Sequence, residues 1–135
     1  MKLENILAVS GMPGLYKLVT TRKNGLVIED YDNAKRTFIS LRKHQFTPLQ
    51  SVAIYTYSDV EEIQEIFKRM RDQKAVNPIP KSNAPSDDLH AYFREILPDY
   101  NEDRVYVSDI KKIIKWFAFL EERNMLVDTA GDEEE

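Results

Sequence analysis

The sequence predicts an α+β fold: an N-terminal small SH3-like β-barrel or strongly bent antiparallel sheet with one packed helix, followed by a C-terminal helical hairpin. Three observations lead there. Short apolar runs separated by tight-turn residues fill the chain as far as Tyr57, and one of those turns is Asn24-Gly25, the strongest short-range hairpin signal. Three later stretches repeat apolar residues at helical spacing. A stretch holding Pro78, Pro80 and Pro85 separates the first of these helices from the other two.

Met1 to Val9 fits two readings. Leu3, Ile6 and Leu7 suit a helical face, whereas Leu7 and Val9 suit a strand. The turn Ser10-Gly11-Met12-Pro13-Gly14 follows. Pro13 sets one φ, and glycines take positive φ where other residues strain. A Gly-rich turn that cradles phosphate needs a helix after it and a Lys-Ser/Thr pair. Here a strand follows and the pair is missing, so the turn is structural. The strands expected are Leu15 to Thr20, Leu26 to Asp30, Arg36 to Leu41 and Val52 to Tyr57, with Asp32 to Lys35 as a second turn and Arg42 to Pro48 as a polar loop.

Ser58-Asp59-Val60-Glu61 reads as a capping box. The helix it starts places Val60, Ile63, Ile66, Phe67 and Met70 on one face, directed at the sheet. Lys68, Arg69, Arg71 and Lys74 lie on the other face, where they complement the helix dipole or offer a face to nucleic acid. Ala75 to Pro85 is a linker or surface strap. Ser86 caps a second helix with the stripe Leu89, Tyr92, Phe93, Ile96 and Leu97, ended by Pro98. Ser108 caps a third, with Asp109 in its first turn and Ile110, Ile113, Ile114, Phe117 and Leu120 in its stripe. Asn124 stops it, and Met125 to Val127 anchor the end. The resulting organisation is a β-rich module with its helix over 1–74, a Pro-rich linker over 75–85, a helical hairpin over 86–127 and a disordered acidic tail over 128–135.

The residues from Ile6 to Lys17 (ILAVSGMPGLYK), with the β-module after them and Lys111 to Trp116 (KKIIKW) further on, resemble an uncharacterised Bacteroidetes family of small proteins. The resemblance covers nearly the whole chain. The family is one of unknown function, so it transfers no catalytic residues; it implies a bacterial, cytoplasmic setting.

Composition narrows the functions. The chain has 135 residues, 42% hydrophobic and 31% charged, an ordinary balance for a globular protein. It has no cysteine, which removes disulfides, thiolate chemistry and Cys-ligated metals. No segment reaches the length of a membrane span, and Glu4 and Asn5 interrupt any apolar signal region. The net charge of -4 is uneven, +3 over residues 1–75 and −7 over 76–135. A mildly basic face that meets an acidic partner is one reading of that division, and ordinary surface variation is the other.

No catalytic constellation stands out. Asp99, Asn101 and Asp103 match the first ligands of an EF-hand loop, but Arg104 stands where a Gly makes the turn and Ile110 where a Glu closes the site. His44 and His90 have no partner at a catalytic or ligand spacing. The expectation is therefore a non-enzyme without metal or cofactor: a non-catalytic binding or adaptor protein with a protein partner, acting away from membranes, its oligomeric state left open. Trp116 and Phe119 lie off the stripe of the third helix and are the candidate partner-binding residues. The alternative is a nucleic-acid-binding module with a basic rim. Arg22, Lys23, Lys35, Arg36, Arg42 and Lys43 sit at successive turns, with Tyr16, Tyr31, Phe38, Tyr55 and Tyr57 as stacking aromatics.

Overall fold

In the computed structural model, which describes residues 1–127, the apolar runs of the first fifty residues form a five-stranded antiparallel sheet. Its strands are β1 (Ile6–Val9), β2 (Tyr16–Arg22), β3 (Gly25–Asp30), β4 (Arg36–Ser40) and β5 (Phe46–Pro48), in the order β4-β3-β2-β1-β5. A single 3-10 turn, Leu49–Ser51, follows. The fold is thus mixed α+β as the patterning predicts, but the sheet is not a closed barrel: no ladder joins β4 to β5. Residues divide into two compact units. One is Leu3–Val52; the other is Met1–Lys2 with Ala53 onward. The division falls before the first helix, whereas the sequence placed it after residue 74.

The first unit's core is one face of the sheet. Period-two alternation brings Leu7, Val9, Ile28 and Ile39 to that face, with Met12, Tyr16, Leu18, Leu26 and Phe46 packed on them. The register between β2 and β3 shifts between Leu18 and Thr20, a bulge that bends a strand shared by both halves of the sheet. Gly11 and Gly14 take φ of 77° and 75°, which makes the opening turn the sharp one its glycines predict. Ser10 then ties that turn down. Its N–H donates to Gln45 O at 2.9 Å, its Oγ accepts from Gln45 N–H at 2.8 Å, and its carbonyl lies 2.9 Å from His44 Nδ1. His44 is therefore a structural tie.

The Asn-Gly hairpin forms one residue out of place. Arg22 pairs with Gly25, so Lys23 and Asn24 make the turn and Gly25 begins β3. The glycine is needed for close approach. A Cβ there would meet the Ile39 carbonyl oxygen head-on and lie 2.8 Å from Phe38 Cζ. The segment read as a polar loop, Arg42 to Pro48, contains β5, which pairs with β1 through Leu7↔Pro48, Ala8↔Thr47 and Val9↔Phe46.

The second unit begins with a two-stranded hairpin, β6 (Ala53–Tyr55) and β7 (Val60–Glu62). This corrects two expectations: the run from Val52 to Tyr57 does not join the large sheet, and Ser58 to Glu61 is not a helix cap. Thr56 N–H donates to Asp59 O, and Asp59 N–H donates to Thr56 Oγ1, both at 2.9 Å. Ser and Asp side chains serve tight turns as readily as caps, and here the turn wins. Val60 consequently lies in a strand and is exposed.

Helix α1 (Ile63–Gln73) buries Ile63, Ile66, Phe67 and Met70, the predicted stripe without Val60, and contacts β7 and α2 (Ser86–Ile96). α2 packs on α3 (Val107–Glu122), and Phe67 meets Phe117 at 6.2 Å between ring centroids. Ser86 and Ser108 lie inside their helices, not at their caps. At α3 the Asp109 carboxylate instead accepts from Tyr106 N–H at 2.9 Å. Asn124 ends α3 as predicted, at φ 56°. Asn124 N–H bonds to Glu121 O and Met125 N–H to Leu120 O, a Schellman closure, and Leu126 is buried beyond it. The tail expected from 128 onward lies outside the described residues.

Two substitutions test this packing by urea denaturation. Gly25→Ala lowers stability by about 1–3 kcal/mol, because backbone atoms of β4 must move to admit the methyl. Tyr92, buried on α2, has a hydroxyl with no hydrogen-bond partner among the described residues, and burial pushes its pKa well up. Tyr92→Phe removes that unsatisfied group and raises stability by about 1 kcal/mol.

Candidate functional site

The most distinctive surface is built by two segments of the second unit that lie forty residues or more apart in sequence. The β6–β7 hairpin brings Tyr55 and Tyr57, and the loop between α2 and α3 brings residues 99–106. Backbone bonds join them: Thr56 bridges Tyr100, Tyr57 N–H donates to Asp99 O at 3.0 Å, and Asn101 N–H donates to Tyr55 O at 2.9 Å. Side chains extend the join. The Arg104 guanidinium stacks over the Tyr55 ring at 3.7 Å, and Tyr57 Oη accepts from Glu102 N–H at 3.3 Å. Tyr55, Tyr57 and Tyr106 remain 42%, 63% and 64% exposed.

Beneath this surface lies Tyr100, almost fully buried, its ring edge-on to Phe93 at 4.9 Å and stacked near His90. Its hydroxyl is 2.7 Å from His90 Nδ1. Burial, then the Glu102 charge, raises the Tyr100 pKa. Arg94 holds Glu102, its Nη2 and Nε donating to Glu102 Oε1 at 2.6 and 3.2 Å. These bonds hold the Glu102 carboxyl below its ordinary value and raise Arg94 in turn. The acidic loop that resembled a calcium site thus uses its side chains to join a helix to a hairpin. Asn101 Oδ1 is likewise occupied, accepting from Asp103 N–H at 3.0 Å. Among the described residues, no group of three or more His, Asp or Glu is placed to hold a metal ion.

The six turn cations separate into two sets. Antiparallel pairing puts the β2–β3 turn and the turn that leaves β4 at one end of the sheet and the β3–β4 turn at the other. Leu41 N–H bonds to Asn24 O at 3.0 Å, which joins the first two turns directly. Arg22, Lys23, Arg42 and Lys43 therefore share an end, are all exposed, and make no ion pair among the described residues. Lys35 and Arg36 lie at the opposite end. Arg36 pairs with Glu29 at 3.1 Å, and Lys35 borders a depression of about 270 Å³ with Asp30, Asn33 and Tyr16. Burial and then the Asp30 charge raise the Tyr16 pKa.

The cations of α1 are largely committed internally. Arg69 meets Glu65, Glu61 and the Ile96 carbonyl, Arg71 donates to Leu126 O at 2.8 Å, and Lys74 pairs with Glu121 at 2.6 Å. Trp116 and Phe119 share one side of α3 and are half-buried. Arg123 covers a face of the Phe119 ring at 3.6 Å. Nearby on the same helix, Ile114, Phe117 and Ala118 form one wall of a largely apolar groove of about 410 Å³, and Ile79 to Ser82 of the proline-rich strap form the other.

The tyrosine–arginine surface was not evident from sequence. Tyr55 and Tyr57 counted there as stacking aromatics of the basic rim. The available signal was their period-two spacing beside a Thr-x-x-Asp turn, and an arginine where a calcium loop needs glycine.

Residues 52–120 match the family described as Domain of unknown function (DUF6852), and residues 3–49 match Domain of unknown function (DUF5606). The two matches meet where the structural units divide. A solution NMR structure of a protein from Bacteroides vulgatus, a structural-genomics target, is similar at 36% identity over 92% of this chain and 89% of that one, with a TM-score of 0.73. No curated protein matches the chain. No helix among the described residues is long and apolar enough to cross a membrane.

The Arg94–Glu102 bond predicts a pH dependence. A lowered carboxyl pKa contributes stability above the ordinary value of 4.5, and that contribution disappears as pH falls through the lowered folded value. Glu102→Gln is therefore less stable than the native chain at neutral pH, and the gap closes as pH falls through the lowered carboxyl pKa, read from paired urea midpoints.

Proposed function

The chain belongs to the family of Domain of unknown function (DUF6852), and on that premise we propose that it is a non-catalytic binding or adaptor protein that engages a protein partner. The observation that carries this reading is the exposed tyrosine–arginine surface of the second unit. Tyr and Arg are, with Trp, the residues enriched at interface hot spots: Tyr buries much area at little entropic cost, and Arg adds a planar set of donors. Here the backbone bonds at 99–101 and the Arg104–Tyr55 stack hold them in place before any partner arrives, which reduces the ordering cost of association. The half-buried Trp116 and Phe119 are a second candidate contact. The setting we infer is the bacterial cytoplasm. For the first unit we infer an SH3-like course, supported by the strand order and by the bulge in its middle strand.

A second reading, nucleic-acid binding, is favoured by one observation: Arg22, Lys23, Arg42 and Lys43 share an end of the sheet without ion-pair partners among the described residues. Lys35 and Arg36, at the far end, do not extend that rim.

One experiment separates the readings. The tagged full chain is used to capture partners from bacterial lysate, with and without nuclease, beside Tyr57→Ala/Tyr106→Ala and Arg104→Ala variants. The protein-binding reading expects partners that survive nuclease and are held about 30-fold more weakly by the variants, the effect of losing a hot-spot residue worth about 2 kcal/mol. Partners lost to nuclease, with binding that falls steeply in salt and is unchanged in the variants, would replace it with the nucleic-acid reading.

A further inference from the structure

The two edges of the five-stranded sheet are not equivalent. β5 has three residues and ends in Pro48, which cannot donate to an added strand. β4 has five residues, no proline, and unbroken register against β3 from Gly25↔Ser40 to Glu29↔Arg36. The bonds flanking that register show which way its backbone faces. Asp30 N–H donates to Lys35 O, and Leu41 N–H donates to Asn24 O. In an antiparallel ladder the bonded positions alternate, so Thr37 and Ile39 also turn toward β3. Arg36, Phe38 and Ser40 turn their N–H groups away from it. The carbonyl of Ser40 accepts from Lys43 and His44, but among the described residues no segment takes up the outward groups of Arg36 and Phe38. The Phe38 ring is 52% exposed beside them.

An open, regular edge invites another strand. The flanking charges decide which strand. Lys35-Arg36 stands at one end of β4 and Arg42-Lys43 in the turn just past the other, with the five residues of β4, about 17 Å, between. A second copy of β4, paired antiparallel about Phe38, would bring Lys35 and Arg36 beside Arg42 and Lys43 of the other copy at both ends. Like charges set four together in this way oppose self-pairing. An acidic strand meets the reverse situation: cations wait at both of its ends, with main-chain donors and an exposed aromatic between. Arg36 holds Glu29 through one nitrogen at 3.1 Å, an exposed pair of small worth that leaves its remaining N–H groups for a ligand carboxylate.

We propose that the outer edge of β4 is a docking site for an extended acidic peptide segment of a partner protein, which adds as a sixth strand. The donors are the N–H groups of Arg36, Phe38 and Ser40, and the end clamps are Lys35-Arg36 and Arg42-Lys43. This rests on the reading of the chain as a protein-binding module, and it uses a surface in the other unit from the tyrosines.

The test uses the full chain, labelled with nitrogen-15, and the synthetic peptide Glu-Asp-Val-Thr-Val-Thr-Val-Asp-Glu, beside a counterpart with lysines at its four acidic positions. The expected result is amide shifts centred on Arg36, Phe38 and Ser40, slowed exchange of those three amides, and binding of the acidic peptide at least about tenfold tighter than its lysine counterpart. Phe38→Pro removes one outward donor while leaving the ladder to β3, and it weakens binding by about the same factor. Equal binding of the two peptides, shifts that bypass these amides, or no shift at millimolar peptide would each overturn the proposal. If the peptide fails while the tyrosine variants still lose their captured partner, the β4 site falls and the binding-module reading stands. If both fail, both fall.

Discussion

The burial of Tyr100 is the constraint on which the second unit depends. A phenol sunk among apolar neighbours must spend its hydroxyl on a partner, and the one it finds, His90, lies on α2. That bond, with the Arg94–Glu102 pair beside it, fixes the loop's height over α2. With the height set, residues 99–101 fall in line with the free side of β6, and two backbone bonds follow. The hairpin, whose two three-residue strands would be marginal alone, is thereby given a third segment to lie against. The exposed tyrosines are orderly because a buried one is.

Periodicity made the helices legible. Four-residue stripes such as Ile63, Ile66, Phe67 and Met70 have one physical meaning, and burial followed it. Two central hairpins were equally plain, since β-branched runs around short polar turns leave few alternatives. What failed was local chemistry with two uses. Thr56 to Asp59 carries turn residues that also cap helices, and only the pairing of Tyr55 with Val60 decides between them. β5 was hidden because an edge strand with one apolar residue, Phe46, has no alternation to display. Tyr100 was hidden for a related reason: one aromatic inside an acidic loop announces burial only once the loop's two flanking helices are in place.

The turn cations teach a different lesson. Sequence order counts turns one after another, but an antiparallel meander sends successive turns to opposite ends. Six positive charges at three neighbouring turns therefore become a set of four and a set of two. The separation dilutes any single rim, and it also brackets β4 with charge at both ends. On α1 a comparable run of cations is absorbed into bonds with Ile96, Leu126 and Glu121. Charge clusters read from sequence acquire meaning only when their neighbours in space are known.

The ties from Ser10 to His44 and Gln45 have a consequence for how the first unit folds. The meander from β2 to β4 closes through turns of a few residues and needs no distant contact. Seating β5 against β1 closes a loop of 34 or 35 residues, an entropic cost of about 3 kcal/mol by chain statistics alone. Non-local contacts of this kind form late and slow the whole transition. Until they form, β1 shows a bare edge to other unfolded chains. The three bonds at Ser10, which read in the finished structure as a small clasp, are in kinetic terms the latch that ends the chain's exposure to aggregation.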